Sequence, residues 1–104
     1  MVVGIPKEIK ANENRVAMTP YNIKTLIGDG HRVLMQTTAG MKSGFLDDEY
    51  VKYGATIVGT LDEIYSESEM IVKVKEPQET ELTKIRPSQI IFTFFHFAAS
   101  KLLT

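Results

Sequence analysis

The stretch MVVGIPKEIKANENRVAMTPYNIKTLIGDGHRVLMQT, residues 1–37, has the order strand, helix, strand that decides the fold. Residues 2–5 form a short apolar run with β-branched side chains, which is typical of a buried strand. Thr19 and Pro20 predict a helix start, since threonine caps helices and proline suits the first helical position. Residues 32–37 are the next strand candidate. The helix between them has an apolar stripe of Ile23, Leu26 and Ile27 and is expected to end at Gly28 or Gly30.

The rest of the chain continues the alternation of helices and strands. Asp47 is expected to cap a short helix that runs to Tyr53. Thr60 and Glu63 fit a capping box, so they predict a further helix that ends near residues 66–68. Three more strands are predicted at residues 55–58, 70–75 and 89–95.

Strands and helices that alternate at this spacing favour a parallel sheet with right-handed crossovers. The strand candidates contain continuous apolar runs, which is expected when helices cover both sheet faces. We therefore predict an α/β fold, a three-layer, mostly parallel, Rossmann-like (flavodoxin-like) sheet of about five strands with the first strand near the centre. No repeat or linker divides the sequence, so residues 1–104 are expected to form one domain.

Composition excludes several functional classes. The net charge of −1 gives no basic field for nucleic acid or membrane surfaces. There is no cysteine, and the two histidines, His31 and His96, are far apart in sequence, so no metal site is predicted. The N-terminal apolar run is too short for a signal peptide, and no stretch reaches membrane-spanning length. A cytoplasmic location is the default expectation.

Three polar residues, Arg15, Lys75 and His96, each stand where an apolar strand is expected to pass into a loop. Ligands of open parallel sheets bind in the crevice beyond the carboxyl ends of the strands. Two cations and a titratable imidazole in that crevice suit a small anionic substrate that must also exchange a proton.

Each of these residues also has a purely structural interpretation. Arg15 could be a solvated loop residue or form a local ion pair with Glu13. Lys73 and Lys75 lie two positions apart and so share a strand face, where they could protect a sheet edge. His96 has aromatic neighbours and could be a satisfied core histidine. The residues alone leave these alternatives open.

The chain resembles the N-terminal domain of the alanine dehydrogenase family, which includes the pyridine-nucleotide transhydrogenases. The resemblance covers essentially the whole chain and rests on ordered motifs at matching spacing. These are G-I-P-K-E at 4–8, N-E-N-R-V-A-x-T-P at 12–20, A-G-x-x-S-G-F at 39–45, D-x-E-Y at 47–50, G-A at 54–55, V-K-V-K-E-P at 72–77 and H-x-A-A at 96–99.

The resemblance implies an NAD-dependent enzyme that interconverts L-alanine with pyruvate and ammonia, and it implies a homo-oligomer. It implies that Arg15 and Lys75 bind the substrate, Lys75 through the keto oxygen of pyruvate, and that His96 is the catalytic acid/base. Lys73 is then expected to have a supporting or structural role. Transhydrogenase domains typically lack the lysine and the histidine at these two positions, so this chain fits the dehydrogenase branch better. A non-enzymatic pyruvate-binding remnant is a third alternative.

The glycines give no dinucleotide fingerprint. Gly28 and Gly30 are followed by Val33 where a third glycine would be required, so helix-ending and turn roles are favoured. The resemblance places NAD on a separate Rossmann domain that these 104 residues cannot contain. The chain is therefore expected to be a truncated N-terminal domain without turnover of its own.

Overall fold

The computed structural model describes residues 1–10 and 13–94. Its described part contains a five-stranded sheet in which every neighbouring pair of strands is parallel. The predicted α/β class is therefore confirmed. The strands are β1 (Val2–Ile5), β2 (Arg32–Gln36), β3 (Thr56–Val58), β4 (Met70–Lys73) and β5 (Ile90–Thr93).

Four helices connect the strands of the described part; three lie where the sequence predicted a helix, and the fourth lies between β4 and β5, where none was predicted. A 3₁₀ turn, Met41–Ser43, also precedes the second helix. The helices are α1 (Pro20–Gly28), α2 (Asp47–Lys52), α3 (Leu61–Glu67) and α4 (Glu79–Leu82).

The strand order is β3-β2-β1-β4-β5, with β1 at the centre as predicted. This is the order of the first five strands of the Rossmann arrangement. In β1, Val3 aligns with Val33 of β2 on one side and with Met70 of β4 on the other. From β1 the chain adds β2 and β3 on one side of the sheet, and then β4 and β5 on the other side. The switch point therefore lies between β1 and β4, and the crevice for a ligand is expected beyond the carboxyl ends of these two strands.

Apolar side chains fill the space on both faces of the sheet. On one face, Ile23 of α1 and Tyr50 of α2 pack with Ile5, Val33 and Met35. The opposite face holds a second buried cluster, in which α3 covers the sheet through Ile64 and Tyr65. The three-layer arrangement follows from these two clusters, because each face needs its own helical cover to exclude water.

Helix α1 begins and ends as its sequence predicts. The Thr19 hydroxyl accepts a hydrogen bond from the Asn22 N–H, and the Asn22 side-chain oxygen accepts from the Thr19 N–H. Gly28 is the last helical residue. Gly30 follows with a φ of 91°, a left-handed conformation that glycine adopts without a steric penalty.

Two predicted caps differ from the structure. Asp47 is the first residue of α2 and not its cap, since its carboxylate accepts hydrogen bonds from the Thr37 hydroxyl and the Thr38 N–H across the loop. The predicted capping box of α3 is half present. Thr60 accepts from the Glu63 N–H, but the Glu63 carboxylate bonds the Thr60 hydroxyl and not its backbone.

Four strands are shorter than predicted: β2 and β3 by one residue each, and β4 and β5 by two or more. β4 ends at Lys73 and not at residue 75, because the carboxylate of Glu8 accepts hydrogen bonds from the N–H groups of Val74 and Lys75. These two donors are thereby taken out of the sheet ladder. β5 ends at Thr93, while the prediction extended it to residue 95, which lies outside the described residues.

Candidate functional site

A pocket with a volume of ≈ 300 Å³ lies beyond the carboxyl ends of the strands. Its walls come from the segments that follow β1, β2, β4 and β5, so it lies at the edge where the strand order reverses. This volume is at the lower end of the range for small-molecule sites. The described residues that line it are Arg15, Val16, Ala17, Thr19, Ser43, Phe45, Val74 and Phe94.

The described lining of the pocket is mostly apolar and includes one cationic side chain, that of Arg15. Val16, Ala17 and Phe45 belong to the partly buried residues that pack on the core of the α1 and α2 face. The Ser43 hydroxyl donates a hydrogen bond to the Asn14 carbonyl at 2.7 Å and thereby joins two of the surrounding loops. A small ligand with one anionic end and one apolar end would match this surface.

Arg15 stands at the pocket and is oriented by Glu13. Its Nε and Nη2 donate to the two carboxylate oxygens of Glu13 at 3.0 and 3.1 Å, and its backbone N–H donates to the same carboxylate at 2.8 Å. The Arg15 side chain is 57% exposed, whereas that of Glu13 is 4% exposed. The local ion pair is therefore present, and it fixes an exposed guanidinium against a buried carboxylate.

The electrostatics of this pair keep both groups charged. The hydrogen bond from Arg15 holds the pKa of the Glu13 carboxyl below its ordinary value, and the positive charge of Lys75 acts in the same direction. The hydrogen bond to Glu13 likewise raises the pKa of Arg15. Glu13 therefore interacts electrostatically with both Arg15 and Lys75, the two cations singled out in the sequence.

Lys75 lies two residues after the end of β4 and is half-buried. It is not among the described residues that line the pocket, but Val74 beside it is. The structure thus brings Arg15 and Lys75 to the same edge of the sheet. His96 lies outside the described residues, and its catalytic role remains a prediction; Phe94, two positions earlier, lines the pocket.

The structure excludes the sheet-edge alternative for Lys73. β4 lies between β1 and β5, so it is no edge strand, and the Lys73 side chain is 1% exposed. Its ammonium is 3.3 Å from a Glu8 carboxylate oxygen and 3.2 Å from one of Glu81. The supporting role that we expected for Lys73 fits this burial. The sequence reasoning missed Glu8 and Glu81, the buried counter-charges that a buried lysine needs.

The described residues do not fit the phosphates of a dinucleotide. Such phosphates bind where a glycine-rich turn opens a helix N-terminus. Gly28 and Gly30 instead stand at the C-terminal end of α1, and the segment from β1 to α1, residues 6–19, contains no glycine. Among the described residues there is also no cluster of side chains suited to a metal ion, and no helix long and apolar enough to cross a membrane.

A parallel α/β sheet with an arginine at a pocket beyond its switch point defines a Rossmann-like domain with a ligand-sized crevice. The chain belongs to the family described as alanine dehydrogenase/PNT, N-terminal domain, which matches residues 4–104. The resemblance seen in the sequence motifs is thereby confirmed.

Curated relatives and solved structures agree with this family. The chain is 45% identical over its whole length to an alanine dehydrogenase of Methanococcus maripaludis and 48% identical over 97% of its length to one of Mycolicibacterium smegmatis. It spans 28% and 27% of those two proteins. A solved L-alanine dehydrogenase superposes with a TM-score of 0.91 at 42% identity, covering 99% of this chain and 28% of that one. A transhydrogenase from Sinorhizobium meliloti gives 0.84 at 29% identity, covering 91% of this chain and 28% of that one.

Proposed function

We propose that this chain is the substrate-binding domain of an NAD-dependent L-alanine dehydrogenase. The reaction would convert L-alanine, NAD and water to pyruvate, ammonia and NADH. The observation that carries the proposal is the position of Arg15 at a small pocket beyond the strand ends, in a chain 45% identical to an alanine dehydrogenase over its whole length. The activity is inferred from the relatives, and the pocket has room for a small carboxylate ligand.

Arg15 would bind the carboxylate of alanine or pyruvate. A guanidinium is planar, permanently charged and able to form two parallel hydrogen bonds to a carboxylate. The bidentate contact to Glu13 restricts the rotation of the Arg15 side chain, although 57% of its surface is exposed. Less conformational freedom is then lost when the substrate binds.

Lys75 would hydrogen-bond the keto oxygen of pyruvate, and His96 would transfer protons. Removal of the amino group requires water to add to an imine and protons to move between the intermediates. An imidazole can both give and take protons near neutral pH, because its ordinary pKa is about 6.5. The location of Lys75 two residues after β4 supports a contact with a ligand at this edge; the role of His96 rests on the family resemblance alone.

NAD would bind outside this domain. The described residues offer no phosphate cradle, so the proposal assigns no cofactor contact to them. The family relatives are several times longer than this chain, which leaves room for a nucleotide-binding domain in a complete protein. We also propose a cytoplasmic homo-oligomer, as the resemblance implies, with no nucleic acid or membrane partner.

The runner-up is the N-terminal domain of a pyridine-nucleotide transhydrogenase alpha subunit. The superposition on the Sinorhizobium meliloti transhydrogenase shows that the fold alone does not separate the two. Lys75 and His96 favour the dehydrogenase, since transhydrogenase domains typically lack both residues. A pyruvate-binding remnant without redox chemistry is the remaining alternative.

The test is to assay the full-length protein for three activities. We expect alanine-dependent reduction of NAD and ammonia-dependent oxidation of NADH with pyruvate. Hydride transfer between NADH and an NADP analogue, without alanine turnover, would support the transhydrogenase. Pyruvate binding in calorimetry with neither activity would support the remnant and refute the proposed enzyme.

A further inference from the structure

A buried network of charged side chains lies behind the segment that carries Lys75. The Lys73 ammonium bridges the carboxylates of Glu8 and Glu81, at 3.3 and 3.2 Å. The Tyr65 hydroxyl donates a hydrogen bond to one oxygen of Glu81 at 2.9 Å, and the Gln78 N–H donates one to the other oxygen at 2.8 Å. The three charged side chains are each at most 3% exposed.

Glu8 uses its carboxylate for more than the ion pair. One oxygen accepts from the Val74 N–H at 3.0 Å, and the other accepts from the Lys75 N–H at 3.3 Å and from Lys73. The same two segments are joined again by an ion pair of 3.0 Å between Lys10 and Glu76. The residues after β1 therefore hold the backbone up to the Lys75 N–H and also contact the side chain of Glu76, which follows Lys75.

Stability alone does not account for this arrangement. Burial of charges has a desolvation cost that a paired neighbour offsets only in part, and an apolar replacement is often as stable. The network does, however, give two backbone N–H groups after β4 a charged acceptor in place of the sheet ladder. Charge-assisted hydrogen bonds of this kind fix geometry more firmly than neutral ones.

We infer that Glu8, held in place by Lys73, is a positioning residue that fixes the backbone of Lys75 and so aims its side chain at the substrate. The inference rests on the proposed function, in which Lys75 contacts the keto oxygen. Glu8 acts through Lys75 and does not itself touch the substrate. A displacement of about 1 Å at a group that orients a substrate can reduce the rate about a hundredfold.

The first experiment measures the backbone directly in the full-length protein. Glu8→Gln keeps the size of the side chain but has only one oxygen, so one of the amides of Val74 and Lys75 loses its acceptor. We expect hydrogen exchange at one of these two amides to accelerate at least about tenfold, because protection reports the loss of a hydrogen bond. Asp62→Asn is the matched control, since it neutralises a largely exposed carboxylate that pairs with Lys84. Unchanged protection at both amides in Glu8→Gln would overturn the inference.

A second variant keeps the test decisive if Glu8→Gln does not fold. The triple variant Glu8→Gln, Lys73→Met, Glu81→Gln removes all three buried charges of the network. Removal of every charged partner avoids an uncompensated buried charge. The triple variant is expected to fold and still to lose protection at position 74 or 75. Retained protection at both amides would contradict the inference.

Steady-state kinetics then separate positioning from a merely structural role. We expect Glu8→Gln to raise the KM for pyruvate about tenfold to a hundredfold while the KM for NADH stays within about twofold of wild type. A merely structural role would lower the amount of active enzyme and hence the apparent kcat, with the KM for pyruvate unchanged; that result would overturn the inference. If the wild-type protein turns over neither alanine nor pyruvate, the proposed function fails, and amide exchange alone decides the role of Glu8.

Discussion

The substitution Lys73→Met should destabilise this domain strongly. Methionine has a similar length but no charge, so the carboxylates of Glu8 and Glu81 would lose the cation that lies 3.3 and 3.2 Å from them. Both carboxylates are buried, with 3% and 0% of their side-chain surface exposed. Removal of one partner from a buried ion pair costs about 3–5 kcal/mol. For a domain whose total stability is roughly 5–15 kcal/mol, that is a large fraction.

Urea denaturation of the 104-residue chain measures this loss. The chain contains no tryptophan, so circular dichroism is the suitable signal. Lys84→Met is the matched control, because Lys84 pairs with an Asp62 side chain that is 76% exposed, and exposed pairs contribute about 0–1 kcal/mol. Adding Glu8→Gln to Lys73→Met should restore part of the lost stability. If Lys73→Met cost no more than Lys84→Met, the buried network would not have the energetic role assigned to it.

Three further substitutions test the site. Arg15→Lys should raise the KM for pyruvate about tenfold or more and change kcat less, because a point charge replaces a two-pronged donor; equal KM values would contradict carboxylate binding. Glu13→Gln should cost stability at pH 7 but less as the pH falls below 4.5, the ordinary pKa of a glutamate. The reason is that the folded state lowers the pKa of Glu13, so the stability that its carboxylate contributes is fully present above the ordinary pKa and is lost as the pH falls through the lowered pKa. An equal cost at pH 7 and pH 3 in urea titrations would count against the Arg15 contact. His96→Ala should reduce kcat about a hundredfold to ten-thousandfold with unchanged NADH affinity by calorimetry, and near wild-type turnover would remove its catalytic role.

Most of the fold could be predicted from local patterns. Continuous apolar runs in the strand candidates predicted parallel pairing with two covered faces, and two core clusters now occupy those faces. The Thr19 cap and the glycines after it predicted α1 correctly. The strand ends were less accurate. The N–H groups after β4 are taken by Glu8, which lies 66 residues from Val74 in sequence, and no local pattern shows such a distant acceptor.

The candidate site was predicted in part. Arg15 and Lys75 could be selected because each follows a strand, and strand ends of a parallel sheet meet at one edge. The sequence left a sheet-edge alternative open for Lys73, because alternation shows which residues share a face but not whether that face is open. Only the position of β4 between two other strands, and the approach of Glu8 and Glu81, shows that this lysine is buried.

A crystal structure of the full-length protein with pyruvate bound tests the central claim most directly. Our account predicts pyruvate in the pocket beyond β1 and β4, its carboxylate hydrogen-bonded to Arg15 and its keto oxygen to Lys75, with His96 on the same side of the sheet. Pyruvate bound elsewhere, or Lys75 and His96 at opposite ends of the sheet, would contradict it.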